Sequence, residues 1–443
     1  MRMKVSRYTI WASDGSSLYV ANTLRRTSII VREPIGSVIS DLLSNPSISE
    51  KSLASQNSLI LKLAEAGFLV DEAIDELAEV KKLYKDETTS KKTFAMVVAP
   101  TMGCNMGCFY CYENKRGGHL SVDNQNNLLR RFEEHSKPEG SCSVQWHGGE
   151  PLLSKDIIID LSTKFLQHCQ NISASYNSSI TTNGYLLSRQ VAKRLADSGI
   201  CSAQITLDGD EDDHNRTRKL KVSVNGSSES FSKILENIAE CGDLIKITIR
   251  VNVWKRNLSK VYELLARLSE PNLRDAIHLL YFAPVFNFSP NKVGNPQYAP
   301  KADAHFGVKE FATIETRLLQ YANSLGLPVT GDILRRSFAT CVAVRTNSLV
   351  VDSTGGIKKC YHDLGNPNED FSDLKNSFTS SSLLQKWITF EPWNDENCAK
   401  CECLPICLGG CPHKRLSGAP RDEVCPTIKH NLRENLPFML GKS

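Results

Sequence analysis

Three thiols stand together in Cys104-Asn-Met-Gly-Cys108-Phe-Tyr-Cys111, a C-x3-C-x2-C spacing. Thiolates this close can hold three irons of a 4Fe–4S cluster and leave the fourth without a protein ligand. An open iron can chelate a substrate or a cofactor. The competing chemistry is a structural zinc knuckle, which requires a fourth Cys or His nearby. Tyr112, Glu113 and Asn114 do not supply one; His119 could, after a gap of seven residues.

The surrounding pattern says what must carry these thiols. Strand patterns occur at 94–99, 143–147, 178–182, 203–207, 246–253 and 277–282. Amphipathic stretches separate them near 122–135, 155–169, 188–198, 230–241 and 258–268. Six strands alternating with helices predict a parallel sheet, here a partial (β/α)6 TIM-like barrel. Chemistry in such barrels sits at the C-terminal strand ends. The polar and glycine-rich residues fall there. Cys104 follows the first strand and Gly148-Gly149-Glu150-Pro151 the second; Thr182-Asn183-Gly184 ends the third. Asp208-Gly209 ends the fourth, and Arg250 and Asn252 lie on the fifth. Paired glycines allow close backbone approach, expected here toward a ligand.

The chain has 443 residues, enough for two or three domains, and 41% hydrophobic content, enough for sizeable cores. A formal net charge of +4 makes no electrostatic case for nucleic acid or an anionic membrane. The N-terminus lacks an apolar signal region, and no apolar run approaches the ~20 residues of a membrane span. A soluble, cytoplasmic protein is expected. Fifteen cysteines with C-x2-C spacings suit metal ligation better than a disulfide framework. Cys142, Cys169, Cys201 and Cys241 stand alone and read as ordinary buried thiols.

Residues 1–85 read as a small α+β unit with strands at 8–12, 17–22 and 27–32, helices around 36–44 and 56–66, and extended chain at 68–70. A charged helical stretch runs from Asp71 to Asp86, and 86–93 reads as a linker. The barrel occupies 94–310, with a long Pro/Asn/Gly-rich loop at 285–305 that could cover a substrate. A helix at about 307–325 opens a bridging region, 311–340, before a cysteine-rich segment, 341–443. That tail reads Cys341-x13-Gly355-x4-Cys360, then Cys398-x2-Cys401-x5-Cys407-x3-Cys411-x13-Cys425, with Cys403 outside the pattern. Paired structural zincs would suit the C-x2-C steps as well.

The C-x3-C-x2-C stretch, with Gly148-Gly149-Glu150 at the next strand end, resembles the radical S-adenosylmethionine (SAM) enzymes. The resemblance implies that the open iron grips the amino and carboxylate groups of SAM, and that one electron cleaves SAM to a 5′-deoxyadenosyl radical. It implies Tyr110 against the adenine, Gly148, Gly149 and Glu150 as the SAM-binding segment, and Thr182 and Asn183 as the next polar ledge. Arg250 and Asn252 could reach the SAM carboxylate or ribose; a salt bridge or a place in the core explains them equally well. Leu207-Asp208-Gly209 through His214 and Arg218 resembles an L-D-G-x4-H-x3-R segment of peptide maturases, with Asp208 at the barrel mouth as a candidate catalytic residue.

The tail resembles the seven-cysteine SPASM domain, although its last spacing is short. That implies two auxiliary 4Fe–4S clusters beside the SAM-binding one, three in all. Cys398, Cys401, Cys407 and Cys425 would hold the outer cluster, and Cys341, Cys360 and Cys411 the inner one. No cysteine lies between Asp332 and Thr340, so the inner cluster's fourth ligand is left open, Asp332 and Cys403 being candidates. The N-terminal unit resembles the winged-helix precursor-peptide recognition element of peptide-maturing enzymes, which adds a leader peptide as a strand to a sheet edge. The expected function is oxidative crosslinking, thioether or C–C, of a ribosomally made precursor peptide, with an electron donor such as flavodoxin or ferredoxin. The alternatives are an anaerobic sulfatase maturase forming formylglycine and a non-catalytic Fe–S peptide-binding or electron-transfer protein. Sulfatase maturases carry an aspartate directly after the cysteine matching Cys360; Tyr361 stands there, with Asp363 two further on.

Overall fold

The computed structural model describes residues 2–45, 47–48, 57–113, 118–222, 229–285, 305–329, 340–376 and 381–441. Of the loop expected at 285–305, residues 286–304 lie outside the described residues, as does Asp332.

The N-terminal unit begins with β1 (Met3–Val5), β2 (Thr9–Ser13), β3 (Ser17–Asn22) and β4 (Thr27–Arg32). It continues with α1 (Ile35–Leu43), β5 (Ser47–Ile48), α2 (Asn57–Glu65) and β6 (Leu69–Asp71). Strands β2, β3 and β4 form one antiparallel sheet with β3 central and β2 and β4 at its edges, and β1 pairs with β5 and β6 in a second. Asp14 makes the hairpin between β2 and β3: its carboxylate accepts from Ser16 N and Ser17 N, each at 2.9 Å. The unit has its own core of Leu18, Val20, Ile39, Leu63 and Phe68. The β-sheet's other face packs Ile10, Tyr19 and Ala21 on Cys403, Leu432 and Leu436 of the cysteine-rich segment. Thr23 Oγ1 donates to Glu402 O at 2.8 Å across that contact.

Helix α3 (Glu76–Thr89) is capped by Asp75, which accepts from Leu77 N and Ala78 N. It takes in the first half of the expected linker, through Thr89, because Tyr84 and Thr88 on its inner face are buried although the surrounding residues are polar. Only residues 90–92 separate it from the central sheet.

The central sheet contains β7 (Thr93–Val98), β8 (Ser141–Trp146), β9 (Ser175–Thr182), β10 (Ile200–Leu207), β11 (Lys246–Val253) and β12 (Ile277–Pro284). These six are parallel and in sequence order. Helices α4 (Val122–His135), α5 (Lys155–Asn171), α6 (Arg189–Asp197), α7 (Glu211–Thr217), α8 (Phe231–Cys241) and α9 (Leu258–Leu268) fill the crossovers. Their apolar stripes and the strands' inward residues share one core that includes Leu128, Phe132, Trp146, Phe165, Ile205, Val251 and Leu265. Parallel strands joined by helices put every crossover's start at the same end of the sheet, which is how distant residues gather there.

After α10 (Val308–Ser324), the tail enters the same sheet. Strand β13 (Ser348–Val351) pairs parallel with β7, and β14 (Gly356–Lys358) and β15 (Ser372–Asp373) follow antiparallel, so the sheet has nine strands. The turn from β13 to β14 is held by Asp352, whose carboxylate takes Lys358 Nζ at 2.6 Å, both side chains being buried. The chain ends on α11 (Ile428–Leu440), packed against α10 and the N-terminal sheet. Among the described residues, no helix is long and apolar enough to cross a membrane.

Candidate active site

The loop carrying Cys104, Cys108 and Cys111 leaves β7 and is clamped from two sides. From one side comes the end of β8. Glu150 N donates to Gly103 O at 2.8 Å and Gly149 N to Thr101 O at 3.3 Å. A Cβ on Gly149 would lie 2.2 Å from Gly103 O, and one on Gly148 would lie 2.4 Å from Thr101 O. The close approach that these glycines permit is therefore to the cysteine loop's own backbone, a different partner from the ligand expected. From the other side comes the chain after α7. Gly107 N donates to Lys219 O and Lys221 N to Asn105 O, both at 2.8 Å. Within the loop, Met106 N lies 3.4 Å from Cys104 Sγ, an N–H donor to the thiolate.

Glu150 is fully buried and its carboxylate is spent on the neighbouring strand end. It accepts from Thr182 Oγ1 and Asn183 N, each at 2.7 Å, and from Leu152 N at 3.0 Å. Burial pushes its pKa up against those three donors. The Asn183 amide in turn donates to Asn105 Oδ1 at 2.7 Å, tying β9 to the cysteine loop. Thr182, Asn183 and Glu150 are thus one brace under the loop.

A second knot closes over Tyr110. Its hydroxyl is 2.5 Å from Asp208 Oδ2 and accepts from Arg218 Nη1 at 2.7 Å and Asn252 Nδ2 at 3.0 Å. Its ring lies edge-on to Phe109 and tilted toward Trp254, at 5.0 and 6.2 Å between centroids. Asp208 is fully buried, Arg218 6% exposed and Asn252 4% exposed. Burial pushes Asp208 up even with the Arg218 guanidinium nearby. Among the described residues, Asp208 Oδ1 and Arg218 Nε have no hydrogen-bond partner although both are buried. Polar atoms in that state mark a place where a ligand's own polar groups would fit. Arg218 is the residue whose weight the sequence understated; its signal was its place in L-D-G-x4-H-x3-R. His214 is buried with its Nδ1 3.4 Å from Asp208 N, a support for the strand end.

Arg250 donates through Nε to Asn252 Oδ1 at 3.0 Å, and it stands within electrostatic reach of Tyr112, Tyr361 and His362. It therefore sits between the cysteine loop and the tail. Ring contacts continue that bridge: Tyr112 to His362 at 4.8 Å, His147 to Tyr361 at 5.5 Å and His362 to His413 at 5.4 Å. Nothing in the sequence pattern points to these rings as neighbours.

None of the fifteen cysteines forms a disulfide; Cys142, Cys169 and Cys241 are buried as expected, whereas Cys201, near the start of β10, is exposed. The eight of the tail fall into two groups of electrostatic neighbours. Cys341, Cys360 and Cys411 form one, and Cys398, Cys401, Cys403, Cys407 and Cys425 the other. Burial pushes Cys407 up to about 12 and holds Cys341 and Cys360 above the ordinary thiol range. Cys403 is buried among Ile10, Tyr19 and Leu436, beside Cys401. His119, needed to complete a zinc knuckle, is instead 2.7 Å from Ser154 Oγ. Among the described residues, no three Cys, His, Asp or Glu side chains converge to hold a single metal ion. A 4Fe–4S cluster makes a different demand, one thiolate per iron.

Residues 98–268 match the model of the Radical SAM superfamily. The match runs from the end of β7 through α9 and includes the cysteine loop; the family it names works with SAM and a 4Fe–4S cluster. A GTP 3′,8-cyclase of Aliarcobacter butzleri is 30% identical over 164 residues, 37% of this chain and 46% of that protein. The chain thus spans about half the length of the first curated relatives it matches. A PqqA peptide cyclase of Bradyrhizobium diazoefficiens is 23% identical over 338 residues, 72% of this chain and 80% of that protein. Among solved structures, native anSMEcpe with bound AdoMet aligns with a TM-score of 0.60 at 18% identity, over 78% of this chain and 98% of that one. SuiB of Streptococcus suis bound to precursor peptide SuiA aligns with a TM-score of 0.53 at 16% identity, over 96% of this chain and 99% of that one. At such identities the likeness is one of fold.

Proposed function

We propose that this protein is a radical SAM maturase that crosslinks a ribosomally made precursor peptide, through a thioether or a C–C bond. The observation that carries the reading is the outer edge of the N-terminal sheet. Among the described residues, β4 has no strand on its outer side, and its residues alternate between half-buried and exposed, with Ile30 42% exposed. An edge of this kind accepts an extended peptide as an added strand. Support comes from the fold shared over 96% of the chain with a protein solved with its precursor peptide, and from the PqqA peptide cyclase.

In this reading Cys104, Cys108 and Cys111 would hold the SAM-binding cluster, and Arg218 would offer its Nε to a carboxylate such as that of SAM. Bound there, cluster and SAM together supply a 5′-deoxyadenosyl radical. Tyr110, Asn252 and Asp208 fix the loop and its cofactor in place, while the buried strand ends exclude water. Cys398, Cys401, Cys407 and Cys425 hold an outer auxiliary cluster and Cys341, Cys360 and Cys411 an inner one. An electron donor such as flavodoxin or ferredoxin would serve these clusters. The sulfatase-maturase reading draws support from the anSMEcpe fold, but it needs an acid where Tyr361 stands; Asp363 is instead 3.3 Å from His413 Nε2.

The test is binding of the neighbouring gene's peptide, labelled on its leader, by fluorescence anisotropy with the full chain. Ile30→Glu should weaken the leader's binding at least tenfold while SAM cleavage by the reduced protein persists. Unchanged affinity refutes the edge as the recognition site.

A further inference from the structure

We propose that Arg415 sets the reduction potential of the outer cysteine site by donating a charge-assisted hydrogen bond to the Cys398 sulfur. This rests on the reading of Cys398, Cys401, Cys407 and Cys425 as ligands of one cluster. Arg415 Nη2 is 3.0 Å from Cys398 Sγ, and Nη1 is 2.9 Å from Asp395 Oδ2. Its Nε donates to Gly409 O. The side chain is only 15% exposed. A guanidinium is a rigid, permanently charged fork, so it cannot swing from the sulfur without breaking the other two bonds.

The surroundings hold that fork still. Asp395 accepts from Asn397 N at 3.0 Å and from Asn397 Nδ2 at 3.2 Å, which fixes its carboxylate at the start of the helical turn that carries Cys398. Gly409 has φ +87°, and a Cβ there would lie 2.5 Å from Pro392 Cβ, so the acceptor carbonyl is wedged as well. Beyond the guanidinium opens a cleft of about 400 Å³ lined by Lys386, Phe390, Pro392 and Leu416. A shorter side chain at 415 would leave its place to water rather than collapse a core.

Reduction adds one electron and one negative charge to a cluster without breaking a bond. Hydrogen bonds to the ligating sulfurs and positive charge at short range favour the reduced level and raise the potential. Asp395 works the other way, with Oδ2 3.8 Å from Cys398 Sγ. The two side chains are opposed levers on one sulfur. Charges in solvent count for far less. Lys400, 72% exposed and paired with Glu396, is such a charge on the same segment.

The experiment is an anaerobic redox titration of the reconstituted full chain with dithionite, followed by EPR, with iron counted in each variant. Arg415→Met should shift one auxiliary signal to lower potential, Arg415→Lys should shift it less, and Asp395→Asn should shift the same signal upward. Lys400→Met should leave it in place. An unmoved potential in Arg415→Met with iron retained overturns the proposal. Loss of the outer cluster from both Arg415 variants also overturns it and makes the residue a clamp. If the unaltered protein carries no second auxiliary cluster, the ligand reading beneath the proposal fails, and the proposal falls with it.

Discussion

Gly149→Ala is the sharpest test of how the cysteine loop is seated. The added Cβ would lie 2.2 Å from Gly103 O, 2.6 Å from Gly103 C and 2.7 Å from Met102 O, where 3.4 Å is ordinary contact. All three are backbone atoms, which no rotamer change can move. The loop must retreat by about 1 Å, at an overpacking cost of about 1–3 kcal/mol. Retreat also stretches the Glu150 N bond to Gly103 O, now 2.8 Å, worth about 1 kcal/mol more. The sum, about 2–4 kcal/mol, falls on the residue next to Cys104 rather than on the barrel core. The barrel should fold, the SAM-site cluster should assemble poorly, and the tail's clusters should stay. Iron content after anaerobic reconstitution should drop by about a third, and 5′-deoxyadenosine formation should fall with it. Gly15→Ala is the control: φ is +89° with no atom within 4 Å of its Cβ, so it should cost about 1–2 kcal/mol of strain and no iron. Full iron and unaltered SAM cleavage in Gly149→Ala would refute the seat.

Two further outcomes are expected. Tyr110→Phe keeps the ring but takes the shared hydroxyl from Arg218, Asn252 and Asp208; SAM affinity by calorimetry should fall about tenfold, and normal affinity would show the knot is idle. Lys358→Met leaves Asp352 and Asp370 without their cation and should destabilise the tail's hairpin by about 3–5 kcal/mol in thermal unfolding. The same pair sets a pH dependence. Burial raises Asp352, Lys358 and the Thr354 donors outweigh it, and the net pKa lies below the ordinary 3.8. The pair's stabilisation is therefore present above pH 3.8 and lost as pH falls through the depressed value. Without Lys358, only the Thr354 donors oppose burial at Asp352, so the loss of stability in acid should shrink; an unchanged acid profile in the variant would contradict this.

Much of the barrel was legible because its signals are local. Strand and helix periods run along the chain, and the expected helices at 122–135 and 258–268 coincide with α4 and α9. The N-terminal strands were legible for the same reason, since Asp14-Gly15 marks the hairpin and alternation marks the strands on either side. The helical end of α3 was not, because its polar last turn looks like a linker until Tyr84 and Thr88 find partners.

The sequence by itself determined the cysteine spacing, the order of strands and helices, and which residues stand at the strand ends. A radical SAM domain follows from those, because a short loop's ligand geometry is written in its spacing. Only the tertiary structure decided what those residues touch. Gly148 and Gly149 face the cysteine loop's backbone, Arg218 reaches Tyr110 across more than a hundred residues, and β13 extends the sheet beside β7. It also decided that the N-terminal sheet rests on the cysteine-rich segment and that Arg415 meets Cys398. Such contacts have no period to read. They depend on packing between elements far apart in the chain, where a side chain's partner is set by the surface it happens to be pressed against.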